Sequence, residues 1–371
     1  MELTTRAVHA GRDDLVALGV HAVPLDLSTT YPARDTRAEA ERLGLLGTGA
    51  EIPGLPVYGR IGNPTTARFE TALAELEGCE AGVAFASGMA ALSACLLAVA
   101  AAGKPHVVAV RPLYGGSDHL LNSGMLGTTV TWATPDTVRE SLRPDTGLVI
   151  VETPANPTLA TVDLRALATA CGDVPLLVDN TFATPVLQRP AESGASIVLH
   201  SATKFLGGHG DVLGGVIATS EEFAQRLRQI RFATGAILHP LAGYLLLRGL
   251  STLPVRMHAQ SRTAAALAER LATHPAIAKV HYPGFGALIA FEVTGDPHEV
   301  VGAVRLITPA VSLGSVDSLI QIPASLTHQV VEAESRAEGG ISDRLVRMSV
   351  GLEDLDDLWT DLSKALAMIN E

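Results

Sequence analysis

Lys204 is the residue from which chemistry is most directly legible in this chain. It lies in SATKFLGGHGDVLGG, residues 201–215, directly after the apolar run SIVLH and ahead of a glycine-rich turn. A strand followed by such a turn puts the amine at the carboxyl end of a sheet, where ligands of α/β proteins bind. Burial there disfavours the ammonium form and lowers its pKa. The amine then becomes a nucleophile toward carbonyls, the chemistry of a Schiff base to an aldehyde cofactor. A lysine that merely extends to solvent is the competing reading of this segment taken alone. Asp179 ends a second apolar run, in LLVDNTFATP. A carboxylate so placed can hold a protonated pyridine nitrogen and keep the ring an electron sink, as a pyridoxal cofactor requires. An aspartate after a strand also serves as a helix cap or turn former.

Other groups fit the same chemistry. In ASGMAALSACLLAVAA the turn Ser87-Gly88-Met89 opens a helix, whose free N–H groups and dipole suit a phosphate. Ser201 and Thr203, flanking the strand end before Lys204, add hydroxyl donors. Tyr58 and Arg60, in VYGRIGNPT, offer further phosphate contacts, although Arg60 also suits a surface ion pair. Tyr114, in RPLYGGSDHL, is an aromatic at a strand end with two glycines after it; it can stack on a planar ring or pack in the core. Arg347, in LVRMSVGLE, can hold a carboxylate with its planar fork, the alternative being an exposed arginine on an edge strand.

The elements that must position these residues follow from the apolar pattern. Six short runs, at 82–86, 106–110, 148–152, 176–179, 196–200 and 215–219, are apolar on both faces and separated by helical segments. They read as strands of a largely parallel sheet covered on both sides, an α/β architecture. PTTARFETALAELEG reads as a helix from about residue 64 that stops at Gly78. After about residue 240 a long helical pattern, the strand-like runs 287–293 and 345–350 and a last helix read as a smaller α+β unit. The expected division is therefore an N-terminal arm over 1–55, rich in prolines (Pro24, Pro32, Pro53) and reaching a neighbouring subunit, a large domain over 56–240 and a small domain over 241–371.

Composition narrows the classes. With 371 residues, 47% hydrophobic and 18% charged, the chain is long enough for two packed units and too apolar to be disordered. A formal net charge of −12 leaves no basic footprint for nucleic acid or an anionic membrane. No stretch has the length of a signal peptide core or a membrane span, so a cytoplasmic protein is expected. Cys79, Cys95 and Cys171 have neither metal-ligand spacing nor an even count, and read as packed free thiols with no metal site.

Read in order, TTRAVHAG, LSTTYP, VYGRIGNPT, ASGMAA, RPLYGG, ETPANPT, VDNTFATP, SATKFLGGHGD, VSLGSVDSLIQIPASLTH and VRMSVGLEDLDDL span nearly the whole chain. Together they resemble the pyridoxal-phosphate enzymes of cysteine and methionine metabolism, a family of cystathionine γ-synthases, cystathionine lyases and methionine γ-lyases. The resemblance implies an aminotransferase-like fold of type I with a seven-stranded sheet, pyridoxal 5′-phosphate as cofactor, and a homo-oligomer whose active site is shared between subunits. It implies Lys204 as the lysine that carries the cofactor, Asp179 as partner of its ring nitrogen and Tyr114 as the residue on its face. Gly88, Met89, Ser201 and Thr203 match the family's phosphate cradle; Tyr58 and Arg60 match residues that reach the phosphate of the adjoining subunit. Asn156, Ser312 and Arg347 match positions near the cofactor oxygen and the substrate carboxylate. Where cystathionine-handling members carry Glu before the Ser-Leu-Gly motif, this chain has Val311, as methionine γ-lyases have an apolar residue. γ-Elimination on a sulfur amino acid, methionine above all, is the implied reaction. Gly116, which stands where the well-studied methionine γ-lyases have a cysteine, keeps cystathionine γ-elimination and γ-replacement on an O-acylhomoserine as alternatives, and a cofactor-binding protein without turnover is a remote one.

Overall fold

A computed structural model describes residues 1–45, 49 and 56–370. Of the arm expected over 1–55, residues 46–48 and 50–55, Pro53 among them, lie outside the described residues.

Seven strands form the larger sheet: β1 (Ala81–Phe85), β2 (His106–Val110), β3 (Thr129–Ala133), β4 (Thr146–Glu152), β5 (Leu176–Asp179), β6 (Ile197–His200) and β7 (Gly215–Thr219). Their order is β1-β7-β6-β5-β4-β2-β3. The run from β6 to β3 is parallel throughout, and only β7 lies antiparallel to its neighbours β1 and β6. The α/β expectation is met, and each of the six apolar runs corresponds to a strand. Those runs lack alternation because both faces are covered. Along β2 and β4, Val107, Ala109, Leu148 and Ile150 join one buried cluster. Val108, Val110, Val149 and Val151 join another on the opposite face. Strand β3 lies outside those six runs because TVTWA is an edge strand, half-exposed and half-polar, and lacks the signal of burial on both faces.

Helices reach the sheet through local rules. Asn63 caps Pro64–Glu77 by accepting from the N–H groups of Thr65 and Thr66, and Gly78 ends it at φ +73°. Phe69, Leu73 and Leu76 are fully buried on its inner face, each contributing about 1.5–3 kcal/mol by leaving water. The long helical pattern after residue 240 is two helices, Pro240–Leu250 and Leu253–Ala272, because Pro254 sits where a second helix starts.

The smaller sheet comprises β8 (Ile277–His281), β9 (Leu288–Val293), β10 (Thr308–Pro309), β11 (Leu319–Gln321) and β12 (Leu345–Ser349), in the order β10-β11-β12-β9-β8. Strand β12 lies in its middle, so Arg347 is on a central strand and not the edge strand that an exposed arginine would need. At the N-terminus Ala7 and Ala10 are buried against the helix 64–77 side of the chain, whereas most of residues 19–45 is exposed. No helix of the described residues is long and apolar enough to cross a membrane. Cys79, Cys95 and Cys171 are free thiols, and burial pushes all three upward, Cys79 to about 12 and Cys171 to about 11.

Candidate active site

A cavity of about 490 Å³ opens at the carboxyl ends of β4, β5 and β6 and reaches β12. It brings together Gly88, Met89, Tyr114, Asn156, Asp179, Ser201, Thr203, Lys204, Val311, Ser312 and Arg347, eleven of the thirteen residues singled out from the sequence. Tyr58 and Arg60 do not line it. Arg60 instead donates to the Phe232 carbonyl at 2.8 Å and lies over the Tyr58 and Phe232 rings.

Lys204 sits in the tight turn that follows β6, its N–H bonded to the Ser201 carbonyl and its own carbonyl accepting from Gly208. Its Nζ donates to Ser312 Oγ at 2.6 Å, and no carboxylate of the described residues pairs with it. Burial, helped by the charge of Arg347, lowers this amine to about 8. Gly314 explains the Ser-Leu-Gly motif: a Cβ there would come 2.6 Å from the Phe205 nitrogen and 2.9 Å from the Lys204 carbonyl carbon. Only glycine lets that loop close on the lysine turn. Ser312 itself has φ +86°, a strained conformation for a residue with a side chain, costing about 1–3 kcal/mol. In exchange its hydroxyl faces Lys204 and its carbonyl accepts from Arg347 at 2.9 Å.

Asp179 ends β5 and accepts from the Thr181 N–H at 3.0 Å and the Thr181 hydroxyl at 2.5 Å. Burial raises its pKa against those bonds. Thr181 in turn accepts from the Ser201 N–H at 2.8 Å, so it ties the β5 end to the β6 end. The Thr203 hydroxyl is engaged with the Gly214 backbone. Ser87 caps helix Gly88–Ala101 through the Ala90 N–H. A Cβ on Gly88 would lie 3.0 Å from the Ser201 Cβ, so glycine lets the helix N-terminus rest against the lysine strand.

Arg347 is buried; Nη1 donates to Asn156 Oδ1 at 2.6 Å, and its Nε has no partner. Burial lowers it to about 10, partly offset by Glu152 and Tyr114. An amine without a counter-ion, an arginine with an orphaned donor and a glycine-lined helix start fit an aldehyde-bearing phosphate cofactor and a carboxylate substrate.

Glu152, Thr181 and His328 were not singled out from the sequence. Glu152 ends β4 opposite Asp179, is buried, and is pushed well upward by burial and by Asp179. The signal was present, since Glu152 closes the apolar run LVIVE as Asp179 closes LLVD. His328 sits in a loop whose pattern announces nothing; only its place in the SLTH motif could have marked it.

The family model described as "Cys/Met metabolism PLP-dependent enzyme" matches residues 4–367. The L-methionine γ-lyase of Streptomyces avermitilis is 70% identical over 98% of this chain and 89% of its own length. The cystathionine γ-lyase of Bacillus subtilis is 38% identical over 100% of both. Among solved structures, cystathionine γ-lyase from Lactobacillus plantarum, complexed with L-serine, superposes with a TM-score of 0.90 at 34% identity, covering 100% of both chains. Cystathionine γ-synthase from Xanthomonas oryzae pv. oryzae, in complex with aminoacrylate and cysteine, gives 0.89 at 36% identity over 99% of this chain and 98% of that one. Matched from residue 4 to residue 367, this chain belongs to the pyridoxal-phosphate-dependent enzymes of cysteine and methionine metabolism, and pyridoxal 5′-phosphate is its cofactor.

Proposed function

We propose that the chain is a lyase that converts methionine and water into methanethiol, 2-oxobutanoate and ammonia. One observation carries this reading. Lys204, an amine lowered to about 8, shares a cavity with Asp179, Tyr114 and Arg347, and the mouth of that cavity is apolar at Val311, Leu213 and Leu326. A methylthio group suits such a wall, whereas a distal ammonium finds no carboxylate beside Val311 within this cavity. The name of the Streptomyces relative agrees.

Pyridoxal phosphate, when bound, supplies an electron sink for the charge left as protons leave Cα and Cβ. Lys204 would hold it through Nζ, and that amine would be placed to move the protons at Cα and Cβ. Asp179 would keep a proton on the ring nitrogen. The N–H groups at Gly88 and Met89, with Ser201 and Thr203, would bind the phosphate. Arg347, oriented by Asn156 and Ser312, binds the substrate carboxylate. Tyr114, which lines the cavity, would lie against the ring and would hand a proton to the departing sulfur. Tyr58 and Arg60, turned away from their own cavity beside the exposed stretch 19–45, are read as serving the site of a second subunit. A homo-oligomer in the cytoplasm, with the arm at 1–55 seated on a neighbour, a large domain over 56–240 and a small one over 241–371, belongs to the same reading.

A second reading, γ-elimination of cystathionine, is favoured by one observation. Asp211 and Asp317 line a hollow that adjoins the cavity and shares Val311 and Ser312 with it, within reach of a longer substrate's far amine. Purified protein with pyridoxal phosphate should release thiol and 2-oxo acid in equal amounts from methionine. Faster release from cystathionine selects the second reading. Release from no sulfur amino acid, or product from O-acylhomoserine only when cysteine is added, overturns both.

A further inference from the structure

The peptide unit between Leu113 and Tyr114 is held at both of its polar ends. Its N–H donates to Glu152 Oε2 at 2.7 Å, and its carbonyl lies 3.2 Å from His328 Nε2. His328 also reaches Asn156, its Nε2 lying 3.2 Å from that residue's carbonyl. His328 is fully buried and 215 residues away from Leu113 in sequence.

The protonation of His328 follows from its neighbours. Both groups at Nε2 are carbonyls, which only accept, so the proton sits on Nε2 and is shared between them. Nδ1 is then left to accept from the Thr327 hydroxyl at 3.0 Å. Burial, with the charge of Arg347, lowers the imidazole to about 4, so the ring is neutral near pH 7 and has one N–H to give. Gly115 adds an independent contact: a Cβ there would come 2.1 Å from the Thr327 carbonyl oxygen. The segment 326–328 is thus seated on the Tyr-Gly-Gly loop with no room between them.

We propose that His328 and Glu152 are positioning residues that clamp the Leu113–Tyr114 peptide from opposite ends and thereby fix the Tyr114 ring on the cavity. The clamp lets the segment that follows β11 of the small sheet set the attitude of a side chain carried by the large one. A histidine present only as filler would need neither carbonyl. The inference rests on the reading of Tyr114 as a group that acts in this cavity.

Two measurements test it. Hydrogen–deuterium exchange of the cofactor-free protein reads the clamp directly. In His328→Leu the amides of residues 111–118 should exchange about tenfold faster than in the parent, and His328→Gln, which keeps a donor, should restore most of the protection. In the loaded enzyme His328→Leu should lower kcat about tenfold with little change in KM. Adding it to Tyr114→Phe should cost nothing further, because both changes disturb the same group. Unchanged exchange at 111–118, or losses that add in the double variant, overturns the clamp. Should His328→Leu fail to fold, Glu152→Gln and Glu152→Leu give the same contrast, since only the carboxamide still accepts from the Tyr114 N–H. Failure of the lyase reading looks different: the parent then releases no 2-oxo acid while the exchange contrast persists.

Discussion

Asp179, Glu152 and Lys204 stand at or just beyond the carboxyl ends of β5, β4 and β6, whereas Arg347 sits inside β12, paired with Gln321 on one side and Ala290 on the other. The larger sheet places its polar site groups on the last residue of a strand, as with Glu152 and Asp179, or in the turn just beyond one, as with Lys204. The smaller sheet commits a charged side chain to its own interior, where Nη1 meets Asn156 and Nη2 the carbonyl of a strained serine while Nε stays unpaired. Residues of the first kind can be replaced without disturbing the strands. The second kind is bound up with the packing of its sheet, so the proposed carboxylate binding and stability should be coupled there.

Substitutions in the two sheets should separate accordingly. The largest effect is expected for Lys204→Ala, with turnover reduced about 10³-fold or more, no cofactor fixed by borohydride, and a melting temperature of the cofactor-free protein near that of the parent. Asp179→Asn should follow, lowering kcat about 10²- to 10³-fold while the cofactor still binds. A loss of fold in either variant would break the comparison. On the other sheet, Arg347→Lys should raise KM about 30- to 100-fold, corresponding to roughly 2–3 kcal/mol, and should also lower the melting temperature, because an ammonium cannot reproduce the guanidinium's fork. A KM effect without any stability change would show that the small sheet tolerates the exchange as loops do. An effect of similar size concerns pH. Because the folded lysine titrates near 8 and not 10.5, cofactor-free protein should combine with pyridoxal phosphate about 50-fold faster at pH 8 than at pH 6, following the neutral amine. A rate still rising tenfold per unit above pH 9 would place the amine in water and not in the cavity.

The same contrast explains what the sequence disclosed. Residues at strand ends announce themselves, since an apolar run that stops at Asp179, or just short of Lys204, marks both the strand and the place where a ligand sits. Six strands of the larger sheet were legible for that reason. Strand β3 was not, because its Thr-Val-Thr-Trp pattern is that of a half-exposed edge. Arg347 was recognised by motif, but its surroundings were not, because a short strand does not reveal whether it lies at the centre or the edge of a sheet. Glu152 carries the same strand-end signal as Asp179, but no motif sets it apart. His328 acts through two carbonyl groups 215 and 172 residues away, and no local pattern encodes such a contact.

The three free cysteines have a consequence for the proposed release of a small thiol. Mixed-disulfide formation begins with a thiolate, and Cys79, Cys95 and Cys171 all hold their protons far more tightly than an ordinary cysteine. A dialkyl disulfide formed by oxidation of such a thiol is therefore expected to meet no ready cysteine nucleophile in this protein.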